Sequence, residues 1–226
     1  MNNSPIYNYA SSHWQGYLKP ISELSKSEDG RVLINSNLQY YSFDVITEDV
    51  SDKTKMASTD AIWFSEKAIE LVEYKTGFRD IIDINNYDPS KARCPKHNEA
   101  CEDVYKWVCK NRRQEKDNLL LNIRLKALES IITLKKRIFP QCNQVQSIPI
   151  NLTVVIDANP TDEEEKILGE LSNDSGFTSN DSNPLDVIKQ SLSRYNSVSD
   201  EDGKTFLFNS IEVLGSQSYL SRITIA

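Results

Sequence analysis

The segment TDAIWFSEKAIELVEYKTG, residues 59–77, decides how the rest of the chain can be arranged. It contains two apolar runs of strand length, AIWF and AIELVEY, separated by too few residues for any connection except a hairpin. A tight turn between the runs would place Asp60 directly opposite Glu73, on the same face of the sheet. Because both faces of the hairpin are otherwise apolar, we expect it in the middle of a sheet that is covered on both sides.

Three charged residues, Asp60, Glu73 and Lys75, lie where this hairpin would otherwise be apolar. Two adjacent carboxylates repel each other unless a cation lies between them, and Mg²⁺ prefers oxygen ligands of this kind. Side chains alternate along a strand, so Lys75 lies on the face of Glu73, where it could polarise water or stabilise charge on a phosphate. The alternative is structural: Glu73 and Lys75 form the solvated end of a strand, and Asp60 makes a turn hydrogen bond.

Upstream of the hairpin, the sequence predicts one short helix and one strand. The helix is PISELSKS, which begins at Pro20, a residue suited to a first helical turn because no donor is needed there. The strand is LQYYSFDVITEDV, residues 38–50, which is rich in aromatic and β-branched residues.

Downstream of the hairpin, a long helix is predicted from about residue 114 to 138, followed by a buried strand at 148–158. Apolar residues recur along the helix at i, i+4, i+7 and i+11 and predict its apolar face: Leu121, Leu125, Leu128 and Ile132, flanked by Leu120, Ile131 and Leu134. The opposing stripe is polar and comprises Asn122, Lys126, Glu129 and Thr133.

The charges are distributed unevenly along a chain whose formal net charge is −7. Residues 104–140 hold ten Lys or Arg against three acids, whereas residues 157–202 hold twelve acids against three bases. Basic residues supply most non-specific affinity for nucleic acid, so the first segment could contact phosphates or could simply be a solvated helix face. Its candidate contact residues are Lys106, Trp107, Lys110, Arg112, Arg113, Arg124, Lys126, Lys135, Lys136 and Arg137.

An aspartate on one strand followed by Glu-x-Lys on the next resembles the PD-(D/E)xK nuclease superfamily, and Asp60 with Glu73-Tyr74-Lys75 carry the resemblance. The family core runs helix, three-stranded meander, helix, strand, an order that residues 20–158 can match. Thr59 replaces the proline of the motif. The resemblance implies an α/β fold, with a restriction-endonuclease-like core built on a central mixed sheet flanked by helices.

The resemblance also implies roles for individual residues. Asp60 and Glu73 would bind Mg²⁺, and Lys75 would support the attacking water during phosphodiester hydrolysis. An upstream helical acid often completes such sites, with Glu23 as the first candidate and Glu48 behind it. Lys126 is a further candidate, because the helix after the third strand often contributes a polar residue.

Four residues in a polar stretch, Cys94, His97, Cys101 and Cys109, form C-x₂-H-x₃-C-x₇-C. Thiolates and imidazoles at such spacings can bind a structural Zn²⁺, but the spacing is not that of a standard zinc ribbon or finger. The alternative is unligated, reduced cysteines, which are the rule in a reducing compartment.

The organisation expected from these patterns is a nuclease-like core at residues 1–158 and an acidic C-terminal α/β extension at 159–226, packed on the same domain. The Cys/His stretch would be an insertion at about 85–113. No apolar run suggests a membrane span or signal peptide, so we expect a cytoplasmic protein.

The functional expectation is a Mg²⁺-dependent nuclease, an endonuclease-like hydrolase that acts on DNA more than on RNA. A partner protein would select or activate the target, as in bacterial restriction or antiviral defence. The alternatives are a non-catalytic nuclease-like subunit of a larger complex and a zinc-stabilised docking module.

Overall fold

The computed structural model describes residues 5–51, 54, 56–65, 67–76, 99–140, 148–157, 184–194, 196–200 and 203–225. The helices in these ranges are α1 (Pro5–His13), α2 (Ile21–Leu24), α3 (Phe43–Asp49), α4 (Glu99–Ile132), α5 (Pro184–Ser193) and α6 (Ser216–Ile225). The strands are β1 (Leu18–Pro20), β2 (Gln39–Ser42), β3 (Ala61–Phe64), β4 (Ile69–Lys75), β5 (Ile150–Ile156), β6 (Ser197–Asp200), β7 (Gly203–Phe206) and β8 (Ser210–Gly215).

A mixed six-stranded sheet organises the fold, with the strand order β1-β2-β3-β4-β5-β8. Strands β1 to β4 pair with one another in antiparallel order, whereas β5 is parallel to both β4 and β8. Strands β6 and β7 form a separate antiparallel pair. The mixed α/β class expected from the sequence is therefore present in the structure.

The β3–β4 hairpin has the register that the sequence predicts. Ala61 pairs with Val72, and Phe64 pairs with Ile69. Asp60 directly precedes β3, so continuing this register places it opposite Glu73. The hairpin lies in the interior of the sheet, with β2 on one side and β5 on the other.

Helices cover both faces of this sheet. One face buries Ile62, Leu71 and Val154 against α1, α3, α4 and α5. The other face buries Val72, Tyr74 and Val155 against α2 and α6. The alternation of side chains along β4 therefore assigns Glu73 to the face that α4 covers.

The predicted strand at residues 38–50 is wrong beyond Ser42. Strand β2 ends there, and Phe43–Asp49 forms α3. The buried residues Phe43, Ile46 and Thr47 recur at a spacing of three and four, which is helical rather than alternating. High β-propensity in this segment was overridden by burial of one helical face against the core.

The long helix begins much earlier than predicted, at Glu99, and residues 99–113 are therefore helical rather than part of an irregular insertion. Its last turn, Thr133–Ile138, is a π-helix, and the Phe139 N–H donates to the Leu134 carbonyl at 2.9 Å. Such π turns are uncommon and often occur at functional sites.

Helix α4 is rotated relative to the sequence-based expectation. The residues predicted to form its apolar face are substantially exposed: Leu121 61%, Leu125 47%, Leu128 38% and Ile132 46%. The buried apolar residues are Leu120, Ile123, Ala127, Ile131 and Leu134, accompanied by buried Ser130 and Thr133. Part of the predicted polar stripe therefore faces the protein interior.

The acidic C-terminal part contributes to the same sheet. Strand β8 pairs with β5 from Ser210 to Gly215, and α5 packs Leu185, Ile188 and Leu192 into the core cluster beneath α4. On the opposite face, α6 packs Tyr219 against Tyr74, and their hydroxyl groups lie 3.1 Å apart.

Within the described ranges, no helix is long and apolar enough to cross a membrane.

Candidate functional site

Asp60 directly precedes β3 and is held there by two contacts. Its Oδ2 accepts a hydrogen bond from the Tyr74 backbone N–H at 2.7 Å. Its Oδ1 accepts a hydrogen bond from Lys126 Nζ at 3.0 Å. The first contact fixes Asp60 to β4, and the second connects the hairpin to α4.

Glu73 is buried completely and contacts two ammonium groups. Its Oε1 lies 2.7 Å from Lys75 Nζ and 2.9 Å from Lys126 Nζ. Lys75 Nζ also donates to Asn122 Oδ1 at 3.4 Å. Asp60, Glu73, Lys75 and Lys126 therefore form one compact cluster, hereafter the carboxylate–lysine cluster.

The helix face that forms this cluster also fixes the chain leading into Asp60. The Ala57 backbone N–H donates to the Glu129 carboxylate, and the Thr59 N–H donates to Ser130 Oγ at 2.9 Å. Thr59 and Ser130 are both buried. Thr59, in the motif position of proline, thus supplies a backbone donor that proline lacks.

Asn122, Glu129 and Ser130 were not predicted as site residues. The sequence contained a signal for the first two, because Asn122, Lys126 and Glu129 recur at i, i+4 and i+7 and therefore share one helix face. A polar stripe opposite an apolar one is commonly the solvent-facing side of a helix. A polar stripe can equally face inward when backbone N–H groups and charged side chains lie opposite it.

Burial dominates the electrostatics of the cluster. It raises the pKa of Glu73 to about 7, and the Asp60 charge adds to this effect while Lys126 and Lys75 oppose it. Burial also raises the pKa of Asp60, against the opposing influence of Lys126. For Lys126, burial disfavours the charge, but Glu73 and Asp60 outweigh it and raise the pKa above its ordinary value.

The donor set fits a divalent metal ion in part. Asp60 and Glu73 supply the carboxylate oxygens that Mg²⁺ prefers. Glu73 Oε2 is buried and has no hydrogen-bond partner among the residues that the structure describes, so one ligand atom is available. Across the same residues, no group of three or more His, Cys, Asp or Glu side chains converges. Further ligands would therefore have to be water or backbone oxygens.

Glu23 is placed away from the cluster. It lies on α2, the one-turn helix whose Ile21 is buried in the opposite face of the sheet. Its carboxylate is half exposed and accepts a hydrogen bond from Lys19 Nζ at 2.6 Å. Glu48, the second candidate, lies on α3.

The Cys/His stretch lies only partly within the residues that the structure describes, and a shared zinc ion there stays a prediction. Cys94 and His97 lie outside the described residues. Cys101 and Cys109 both belong to α4, where eight residues of helical rise separate their Cα atoms by about 12 Å.

The basic segment 104–140 coincides with α4 and its π turn, but not all of its bases face outward. Arg124 donates to Ser191 Oγ at 3.0 Å, and Lys126 belongs to the cluster. Lys110, Lys136 and Arg137 are exposed, and Arg137 also donates to Ser51 Oγ at 3.1 Å. Trp107 is exposed as well.

An apolar cavity of about 210 Å³ lies between α4, α5 and the sheet. It is lined by Leu121, Leu125, Leu152, Leu192 and Phe208, among others. No member of the carboxylate–lysine cluster lines this cavity, so it is distinct from the site described above.

Comparison with known proteins identified no relative: no protein-family model, no curated protein and no solved structure matches this chain.

Proposed function

We propose that this chain is a Mg²⁺-dependent nuclease that hydrolyses phosphodiester bonds, in DNA more than in RNA. The observation that carries the proposal is the meeting of Asp60, Glu73, Lys75 and Lys126 where the β3–β4 hairpin contacts α4. Buried carboxylates with raised pKa values beside specific cations are typical of functional sites, although structural ion networks share this property.

In this proposal the carboxylates of Asp60 and Glu73 would hold the ion. When bound, the ion would polarise a phosphoryl oxygen and lower the pKa of an attacking water. Lys75 is the water-positioning residue. Its side chain is 18% exposed and its ammonium is oriented by Glu73 and Asn122, so it can donate a hydrogen bond to a water or a phosphate oxygen at the site.

The exposed bases of α4 and its π turn would hold the nucleic acid. Lys110 and Arg137 are separated by 27 residues of continuous helix, a length of about 40 Å. Contacts from these positions to backbone phosphates give affinity without reading sequence. Target choice would then come from a partner protein, as in bacterial restriction or phage-defence systems.

A second candidate function is a non-catalytic subunit that keeps this core as a scaffold. It is favoured because both carboxylate oxygens of Asp60 already accept hydrogen bonds, one from the Tyr74 N–H and one from Lys126. Such contacts would stabilise a hairpin even without catalysis. The two functions differ in one measurable property, Mg²⁺-dependent cleavage.

The test is a cleavage assay on plasmid, linear duplex DNA, single-stranded DNA and RNA, each with Mg²⁺ or with EDTA. We expect Mg²⁺-dependent cleavage that is lost in Asp60→Asn and Glu73→Gln. Glu212→Gln is the matched control, because Glu212 is a partly exposed carboxylate on β8 that pairs with Arg222. Failure of the folded wild-type protein to cut any of the four substrates would favour the scaffold.

A further inference from the structure

Lys126 lies between the two carboxylates of the cluster, and it is the described side chain that contacts both. Its Nζ is 3.0 Å from Asp60 Oδ1 and 2.9 Å from Glu73 Oε1. Lys75, by contrast, contacts Glu73 but not Asp60 among the two described carboxylates, and its second contact is to Asn122. The two lysines therefore have different geometric relationships to the carboxylate pair.

The position of Lys126 is also fixed by its helix. Ala127 is buried directly beside it, and Glu129 and Ser130 of the following turn bind the backbone of residues 57 and 59. The backbone of α4 is therefore held against the hairpin at this level. Only the flexible side chain of Lys126 can withdraw from the carboxylates without moving the helix.

In this cluster two carboxyl groups face two ammonium groups. Asp60 and Glu73 could not both remain ionised so close together in a buried place without a cation between them. A divalent ion that uses Asp60 Oδ1 and Glu73 Oε1 would need the same oxygens that Lys126 now contacts. The ammonium and the metal ion therefore compete for one position.

We propose that Lys126 is a resident counter-cation, which occupies the metal position of the cluster and must withdraw from Asp60 and Glu73 before a divalent ion can bind both. The choice of a divalent ion rests on the proposed function. The competition between this ion and Lys126 rests on the contacts of Lys126 with both carboxylates. In the absence of metal, Lys126 keeps the two carboxylates paired. Because a metal ion must displace Lys126, the intrinsic metal affinity of the site is weak. Lys126 then sets how much divalent ion is needed to load the site.

The test is calorimetric titration of metal-free protein with Mn²⁺ alone, in the wild type and in Lys126→Met. Removal of a unit positive charge about 3 Å from both ligands should tighten Mn²⁺ binding by about tenfold or more. Lys67→Met is the matched control and should leave the affinity unchanged, because Lys67 is exposed in the turn at the other end of the same hairpin. Lys75→Met should tighten binding less than Lys126→Met, because Lys75 contacts one carboxylate rather than both.

A second measurement keeps the inference testable if Lys126→Met does not fold. Acetylation of wild-type lysines, read by mass spectrometry, should modify Lys126 slowly without metal and several-fold faster in saturating Mn²⁺, with Lys67 unchanged. Equal labelling of Lys126 in both states would overturn the competition.

The outcomes separate this inference from the proposed function. Equal or weaker Mn²⁺ binding by Lys126→Met, together with Mg²⁺-dependent cleavage by the wild type, rejects the counter-cation role and leaves the nuclease in place. If neither protein binds Mn²⁺ and the wild type cleaves no nucleic acid, both are rejected. Tighter binding by Lys126→Met supports the counter-cation role whether or not a cleavable substrate has been found.

Discussion

Lys126 Nζ lies 2.9 Å from Oε1 of Glu73, a carboxylate that is fully buried at the junction of the β3–β4 hairpin and α4. This contact joins two parts of the chain that are more than fifty residues apart. It also connects stability to proposed chemistry, because any change in Glu73 or Lys126 alters both the packing of α4 and the charge balance of the cluster.

Lys75→Ala should remove nucleic-acid cleavage while leaving the fold intact. Lys75 lies at the end of β4 and remains 18% exposed, so its truncation leaves little cavity. Loss of one electrostatic contact at a reacting group typically lowers the rate by about 10²–10³. The measurement is the cleavage rate with Mg²⁺, with folding monitored by circular dichroism.

Lys67→Ala is the control for this change, since it removes an exposed lysine from the other end of the hairpin. Equal rates for wild type and Lys75→Ala would show that Lys75 has no role in the chemistry.

The stability of the metal-free protein should depend on Glu73 between about pH 4.5 and 7. Its pKa is raised from 4.5 to about 7, so the folded state binds a proton more tightly than the unfolded state does. The stabilisation from this proton is complete below pH 4.5 and is lost as the pH rises through 7. The full effect is of order 3 kcal/mol, since one pKa unit corresponds to about 1.4 kcal/mol.

Glu73→Gln isolates this contribution, because glutamine is similar in size and does not titrate. In EDTA, the melting temperature of the wild type relative to Glu73→Gln should fall between pH 5 and pH 8. A difference that stays constant over this range would contradict the raised pKa of Glu73.

Ile123→Ala should destabilise the protein far more than Leu121→Ala does. Ile123 is fully buried, whereas Leu121 is 61% exposed, although both are aliphatic residues on the same helix. Truncating a buried isoleucine costs about 2–5 kcal/mol, and an exposed leucine changes stability by roughly 0.5 kcal/mol or less. Urea unfolding of the two variants measures the difference, and the reverse order would mean that α4 packs with the face predicted from its leucines.

Lys136→Ala should weaken nucleic-acid binding in a manner that depends on salt. Lys136 is exposed in the π turn at the end of α4. Loss of one phosphate contact reduces the slope of log K against log salt by about 1, uniformly across DNA sequences. Fluorescence anisotropy with labelled duplex in EDTA measures this slope.

Lys189→Ala is the control for Lys136, since Lys189 is an exposed lysine on α5, outside the basic segment. Identical slopes for wild type and Lys136→Ala would exclude Lys136 as a phosphate contact.

Patterns of residues close in sequence were sufficient to predict the hairpin and part of the site. Two apolar runs with a short connection admit one register, and that register places Asp60 opposite Glu73 and aligns Lys75 with Glu73 on one face. Strand β5 was also predicted, because a continuous β-branched run is typical of a strand covered on both faces. In each case the decisive geometry involves residues close in sequence.

Helix α3 lies in a segment where prediction from local composition fails. The segment from Phe43 to Asp49 has the composition of a strand, yet it folds as a helix because Phe43 and Ile46 are buried together at one helical face. The composition of a segment indicates only its β-strand or helix propensity. The secondary structure that forms is the one that buries the apolar side chains against the rest of the core.

The β3–β4 register, with Asp60 opposite Glu73 and Lys75 on the same face, follows from the order of residues in the hairpin. The rotation of α4, which brings Lys126 between the carboxylates, depends on long-range packing. Two apolar stripes compete on this helix, one with Leu121 and Leu125, the other with Ile123 and Ala127. Periodicity cannot choose between stripes of similar hydrophobicity. The choice depends on partners distant in sequence, since only one rotation satisfies the buried carboxylates and the backbone N–H groups of residues 57 and 59.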